Sequence, residues 1–214
     1  NLVEAKDSDQ DPRIIEIYYP NVIQSLGYVQ PRIQIEIGCR SLIEPYTLQP
    51  VTSFLDDLYA DRDFSASPVV IPTVNPERTF LEKLFLLHEE FHKPLEKIRV
   101  DRLSRHLYDV HQLSKSKYLL AVEDDELYKT IVEHRFNFTK VAGIDYNLLS
   151  PKTLDFIPVS EVLEAWERDY KKMREEMIYQ LDAPTFYEIL EQLKFIKNKI
   201  NQQYWNLGKT YPNP

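Results

Sequence analysis

Four groups of residues in this 214-residue chain have the types and spacings that catalysis or ligand binding requires. His88-Glu89-Glu90-Phe91-His92 fits H-E-x-x-H, in which two histidines at i and i+4 bind one zinc ion from a single helix face and the glutamate acts as base. A zinc site needs a third ligand, for which Asp109, His111 and Glu123 are candidates, and Lys93-Pro94-Leu95 stands where one large peptidase subclass carries a glycine-containing extension. The competing assignment makes His88 a hydrogen-bonded core histidine, because it falls within an apolar stripe.

The second group is Arg102, Arg105, His106 and Asp109. At helical spacing Arg105 and Asp109 are i,i+4 and His106 and Asp109 are i,i+3, with Arg102 two turns before Asp109. Such residues form either ordinary surface ion pairs, worth a few tenths of a kcal/mol each, or a fork of cations suited to a phosphate chain. The third is Glu36 on a strand, placed with Arg32 and Gln34 on the face opposite Ile33, Ile35 and Ile37. A carboxylate near a strand end can ligate a metal, and a solvated strand face has the same composition. The fourth is Lys83, just off the apolar stripe of a helix, where a lysine commonly snorkels.

These residues must be positioned by two differently patterned regions. Arg13–Tyr19 is rich in β-branched and aromatic residues and is stopped by Pro20; Arg32–Ile37 alternates apolar and polar with period two and predicts a strand with one buried face. Residues 41–67 read as irregular with a short helical patch at Ser53–Tyr59, and Val69–Val74 reads as an edge strand because of Pro72. Beyond Asn75-Pro76 the period changes to 3.6. Helices are expected over about 76–92, 100–113, 124–139, 160–179 and, from a Thr185/Glu188 capping box, 185–203, with residues 208–214 as a disordered end. The expected class is α+β: a β-rich part over residues 1–75, then a helical bundle over 76–214.

Composition narrows the function. Thirty-four acidic against 26 basic side chains give a net charge of −8, which argues against broad nucleic-acid binding but not against a local basic patch. The four glycines compare with roughly fifteen at average usage, and their spacing excludes P-loop and Rossmann phosphate loops. The single Cys39 cannot form an internal disulfide, and no apolar run reaches membrane-spanning length, so a cytoplasmic protein is expected.

Three segments in order, RIQIEIGCRSLIEP (32–45), NPERTFLEKLFLLH (75–88) and RLSRHLYDVHQL (102–113), resemble the later portion of the AbiEii/AbiGii toxin family of nucleotidyltransferases over roughly residues 13–115. The resemblance implies a mixed-sheet nucleotidyltransferase core followed by helices, and transfer of a nucleoside monophosphate from an NTP to an acceptor, RNA being implied. It also implies Mg²⁺ as cofactor and a cognate antitoxin as partner. Carried over position by position, it makes Glu36, Lys83 and Asp109 catalytic, with Glu36 near the metal; Lys83, Arg102, Arg105 and His106 would bind the nucleotide. The family also has a Gly-Ser turn and an Asp-x-Asp pair that this sequence lacks. Asp7-Ser8-Asp9 has no preceding glycine or strand and reads as coincidence, so the expectation is the C-terminal portion of a longer enzyme, inactive by itself. The alternatives are the zinc peptidase above and a non-enzymatic interaction module.

Overall fold

Among the described residues, every large apolar side chain of the hydrophobic core lies at or beyond Phe80, where the sequence period is helical. The computed structural model describes residues 2–4, 13–20, 22, 31–38 and 45–213. Asp7-Ser8-Asp9, Gly27, Cys39 and the turn that follows Gly38 lie outside the described residues.

The chain is α+β. Strands β1 (Leu2–Glu4), β2 (Arg13–Tyr18) and β3 (Arg32–Ile37) form an antiparallel sheet in that order. Register pairs Ile17 with Ile33, Ile15 with Ile35 and Ile14 with Glu36. Strand pleating therefore puts Ile15, Ile17, Ile33, Ile35 and Ile37 on one face and Glu16, Tyr18, Arg32, Gln34 and Glu36 on the other. The isoleucine face was expected to be buried. It is open: Ile33, Ile35 and Ile37 are each about half exposed, because no described helix packs on it. On the polar face Arg32 pairs with Glu16, which also accepts the Tyr18 hydroxyl at 2.5 Å.

A second antiparallel pair joins β4 (Tyr46–Val51) to β5 (Val69–Val74), with helix α1 (Phe54–Leu58) in the connection. β5 falls where the sequence placed it. β4 lies within the stretch read as irregular, since Pro45 and Pro50 mask the strand signal. A two-stranded ribbon has an open edge on each strand, so Pro50 and Pro72, neither of which can donate to a ladder, are tolerated within it.

The helical part is formed by α2 (Pro76–Phe91), α3 (Ser104–Ser114), α4 (Asp125–Phe138), α5 (Ser160–Met177) and α6 (Phe186–Asn201). Asp124 caps α4, and Thr185 with Glu188 caps α6 through the expected box. Helix α3 starts four residues later than its periodicity suggests, because Arg102 has φ of 59° and breaks the helical path. Helix α2 is central. Phe80, Leu84, Leu87 and Phe91 pack with Leu107 and Val110 of α3, Ile131 of α4, Trp166 and Tyr170 of α5, and Leu193 and Ile196 of α6. Each such large side chain contributes about 1.5–3 kcal/mol on burial. The expected disordered end is instead docked: Tyr211 and Leu207 are buried, and the Tyr211 backbone exchanges two hydrogen bonds with Asn147, at 2.8 and 2.9 Å.

Candidate functional site

Helix α2 is buried around more than one face, so the consecutive ionisable residues His88, Glu89 and Glu90 all lie inside the protein and each needs a partner. At 100° per residue they point to three different neighbours. His88 accepts the Asp155 N–H at Nδ1 (3.1 Å) and stacks on His92 with ring centroids 3.8 Å apart. Burial first, then the His92 charge, pushes the pKa of His88 down to about 3, so the ring is neutral. Glu89 receives Arg135 Nε at 2.9 Å and the Tyr146 hydroxyl at 2.8 Å, and Arg135 Nη2 closes the second arm of the fork. Glu90 holds Arg99 Nη2 and Lys93 Nζ, each at 2.7 Å, and the Arg99 N–H, also at 2.7 Å. Burial opposes the charge on Glu90, and these hydrogen bonds outweigh it, so its pKa is lowered.

The H-E-x-x-H pattern is thus structural. Glu89 is turned away from the histidine pair and saturated by Arg135 and Tyr146, and no group of three or more His, Cys, Asp or Glu side chains suited to a metal occurs among the described residues. The zinc-peptidase assignment is withdrawn on this geometry.

Two of the other groups do meet. Lys83 leaves α2 about one and a half turns before His88 and crosses to α3, where Nζ lies 2.7 Å from Asp109 Oδ2 and 3.3 Å from His106 Nδ1. His106 and Asp109 reach one ammonium because they are three residues apart on α3. The ammonium has three donors and spends two on these partners. An imidazole that accepts from an ammonium at Nδ1 carries its own proton at Nε2. Burial, then the charges of Lys83 and Arg105, lower the His106 pKa to about 4 against the opposing influence of Asp109, which keeps the ring neutral. The Arg99 charge also reaches His106, although the Arg99 guanidinium itself pairs with Glu90. The site is half open: the Lys83 side chain is 21% exposed and that of Asp109 39%.

Arg102 stands at the entrance of α3. Its N–H and that of Ser104 donate to the two oxygens of Asp169 on α5, at 2.8 and 3.0 Å. This carboxylate replaces the missing local cap, because Leu103 at the N-cap position has no oxygen to offer. It also supports a non-glycine residue in the left-handed region, a conformation that costs about 1–3 kcal/mol. Sequence reasoning missed Asp169, Arg99 and Arg135; each is separated from its partner by loops or whole helices, and no local spacing signals the contact.

Glu36 is not brought to this cluster. It lies exposed on β3 and accepts the Gln34 side-chain amide at 2.5 Å, and nothing joins it to Lys83, His106 or Asp109 among the described residues. The physical reason is that the sheet carrying it supplies no member of the core that aligns α2 and α3. Mg²⁺ is usually held by one or two carboxylates together with substrate phosphates and waters, and among the described residues Glu36 belongs to no group of three or more His, Cys, Asp or Glu side chains suited to a metal.

A family model described as "Nucleotidyl transferase AbiEii toxin, Type IV TA system" matches residues 2–192. The chain belongs to the AbiEii family. The match includes α3, α4, α5 and the first turns of α6, and so extends well past the motif-bearing segments that resemble the family. Comparison with curated proteins gave no match, and neither did comparison with solved structures. Membership in AbiEii makes this a chain of the nucleotidyltransferase toxin class, with an antitoxin implied by the type IV toxin–antitoxin description. No helix among the described residues is long and apolar enough to cross a membrane.

Proposed function

We propose that the Lys83–His106–Asp109 cluster is where this AbiEii chain holds the triphosphate of an NTP during transfer of the nucleoside monophosphate to an acceptor. The observation that carries the reading is the convergence of Lys83 and Asp109, from two family-like motifs on separate helices, on a contact of 2.7 Å. In the reaction an acceptor hydroxyl oxygen bonds to the α-phosphorus and gives up its proton to solvent, the bond from that phosphorus to the bridging oxygen breaks, and pyrophosphate leaves with that oxygen. Little covalent work is asked of the protein, so positioning and charge stabilisation dominate.

Lys83 directs its remaining N–H toward a phosphate oxygen. Asp109 holds the lysine in place, and neutral His106 donates from Nε2. Arg102 and Arg105 supply the further positive charge that a polyphosphate requires. Glu36 is assigned no step. On a chain of net charge −8, Arg102 and Arg105 of the α3 motif also offer local positive charge to an acidic acceptor such as RNA. The β-rich residues 1–75 and the helical residues 76–214 serve as the two parts of the enzyme, acting in the cytoplasm and countered by a cognate antitoxin.

The direct test is transfer of label from an α-labelled NTP to RNA by the intact protein. Lys83→Ala and Asp109→Ala are expected to lose about a hundred-fold or more in rate, the usual effect of removing a preorganised charge-stabilising group. Retained transfer in both variants overturns the assignment.

A further inference from the structure

We propose that Asp169 is a positioning residue for the nucleotide site, setting the entrance of α3 and thereby the placement of Arg102 and the relation of His106 and Asp109 to Lys83. The inference rests on the reading of that cluster as the triphosphate site. Helix α3 presents its first backbone N–H groups without a side-chain cap of its own, since Leu103 occupies the N-cap position. Both oxygens of one carboxylate, brought from α5 more than sixty residues later, take the N–H groups of Arg102 and Ser104 at 2.8 and 3.0 Å. The residue so gripped is the one non-glycine residue with positive φ among the described residues. Strain of this kind persists only where the surroundings over-determine it, and here the residue is one that the proposed site uses.

The grip is rigid on the other side as well. The neighbours of Asp169 on α5, Trp166, Tyr170 and Met173, are buried in the core, and the Tyr170 hydroxyl is fixed to the Pro184 carbonyl at 2.5 Å. The carboxylate is thus a fixed point from which α3 is hung. Two residues beyond Ser104 comes His106, and one turn further Asp109, the two groups that meet Lys83. If the α3 entrance relaxed, Arg102 would leave the left-handed region and its side chain would emerge in a different direction. Asp169 has a second effect. A helix start with open N–H groups attracts anions; by filling that position, the carboxylate leaves Lys83 and the arginines as the place where a phosphate chain gains most.

The test is calorimetric titration of ATP, in EDTA, into this chain and its Lys83→Ala, Arg102→Ala, Asp169→Asn and Arg102→Ala/Asp169→Asn variants, with amide hydrogen exchange read at residues 102 and 104. Asparagine keeps the size of Asp169 but turns a donor toward one of the two N–H groups. The expectation is faster exchange at both amides and about ten-fold weaker ATP binding in Asp169→Asn, with a distinctly smaller further loss, the part carried by His106 and Asp109, when Arg102 is already alanine. Unchanged ATP binding in Lys83→Ala, or none in the parent chain, overturns the site reading and this inference with it. Weakened binding in Lys83→Ala together with parent-like binding in Asp169→Asn overturns the positioning role alone. So does an Asp169→Asn loss that persists at full size in the Arg102→Ala background, which would mark general loosening. Should Asp169→Asn not fold, Asp169→Glu keeps the charge and displaces the carboxylate by one methylene. It is expected to weaken ATP binding and speed exchange at the same two amides, and parent-like behaviour in both readouts overturns the proposal.

Discussion

Replacing Glu89 by glutamine separates a buried structural carboxylate from a catalytic base. Glu89 is 3% exposed and its partner Arg135 15%, so water compensates neither charge if the other is removed. Breaking a buried pair by neutralising one member costs about 3–5 kcal/mol. Glutamine is nearly isosteric, and its carbonyl oxygen can still accept Arg135 Nε and the Tyr146 hydroxyl, which lie at 2.9 and 2.8 Å from Oε1. Its amide nitrogen, however, faces Arg135 Nη2, donor against donor. The expected loss is therefore at the low end, about 3 kcal/mol, which for a chain of this size lowers Tm by about 6–12 °C. Urea unfolding followed by circular dichroism measures it, and the m-value should not change. Arg135→Met alone should cost a similar amount, whereas the double variant should cost less than the sum by about 1–3 kcal/mol, because no unpaired charge is left inside. A loss below about 1 kcal/mol, or strict additivity, would refute the buried-network account. Undiminished stability combined with loss of a hydrolytic activity would restore the zinc-peptidase reading.

Two further outcomes follow from the helical core. His88 titrates near 3 in the folded chain against an ordinary value of 6.5, so the unfolded chain binds the proton first as pH falls. The stability it carries is whole above about pH 6.5 and declines below it. The linkage relation gives about 2 kcal/mol lost between pH 7 and 5 from this group, and the urea midpoint of His88→Asn should fall correspondingly less over that range. At the other end of the chain, Tyr211 is 4% exposed, packs on Phe136 with centroids 4.8 Å apart, and locks its backbone to Asn147. Tyr211→Ala should cost about 3 kcal/mol, as large-to-small aromatic changes do in cores, and should speed amide exchange over the last eight residues; unchanged exchange there would show that the tail is held by something else.

Legibility differed between the two regions. Helices α2, α4, α5 and α6 could be placed to within a few residues because their apolar stripes repeat every 3.6 residues and three have identifiable entry signals: Pro76, Asp124 and the Thr185/Glu188 box. The start of α3 could not, since the positive φ at Arg102 carries no local sequence signal and the carboxylate that meets its N–H, Asp169, comes from another helix. Strand β4 was hidden by its prolines, and the isoleucine alternation of β3 identified a strand correctly while misjudging its environment. Alternation reports that two faces differ; it does not say whether a layer covers either one.

The candidate site divides in the same way. Spacing along α3 places His106 and Asp109 on one flank, and the three ordered motifs point to the AbiEii family, which the family match over residues 2–192 establishes. The sequence by itself therefore determines the helical periodicity, the cationic flank and the family. Only the tertiary structure decides that Lys83 crosses to Asp109 while Glu36 stays apart, and that His88-Glu89-x-x-His92 serves the core instead of a metal. The reason is physical: a local pattern fixes which residues share one face of one element. Which two faces meet depends on how the buried surfaces of all the helices are satisfied together, and in α2 that requirement turns three successive ionisable side chains toward three different partners.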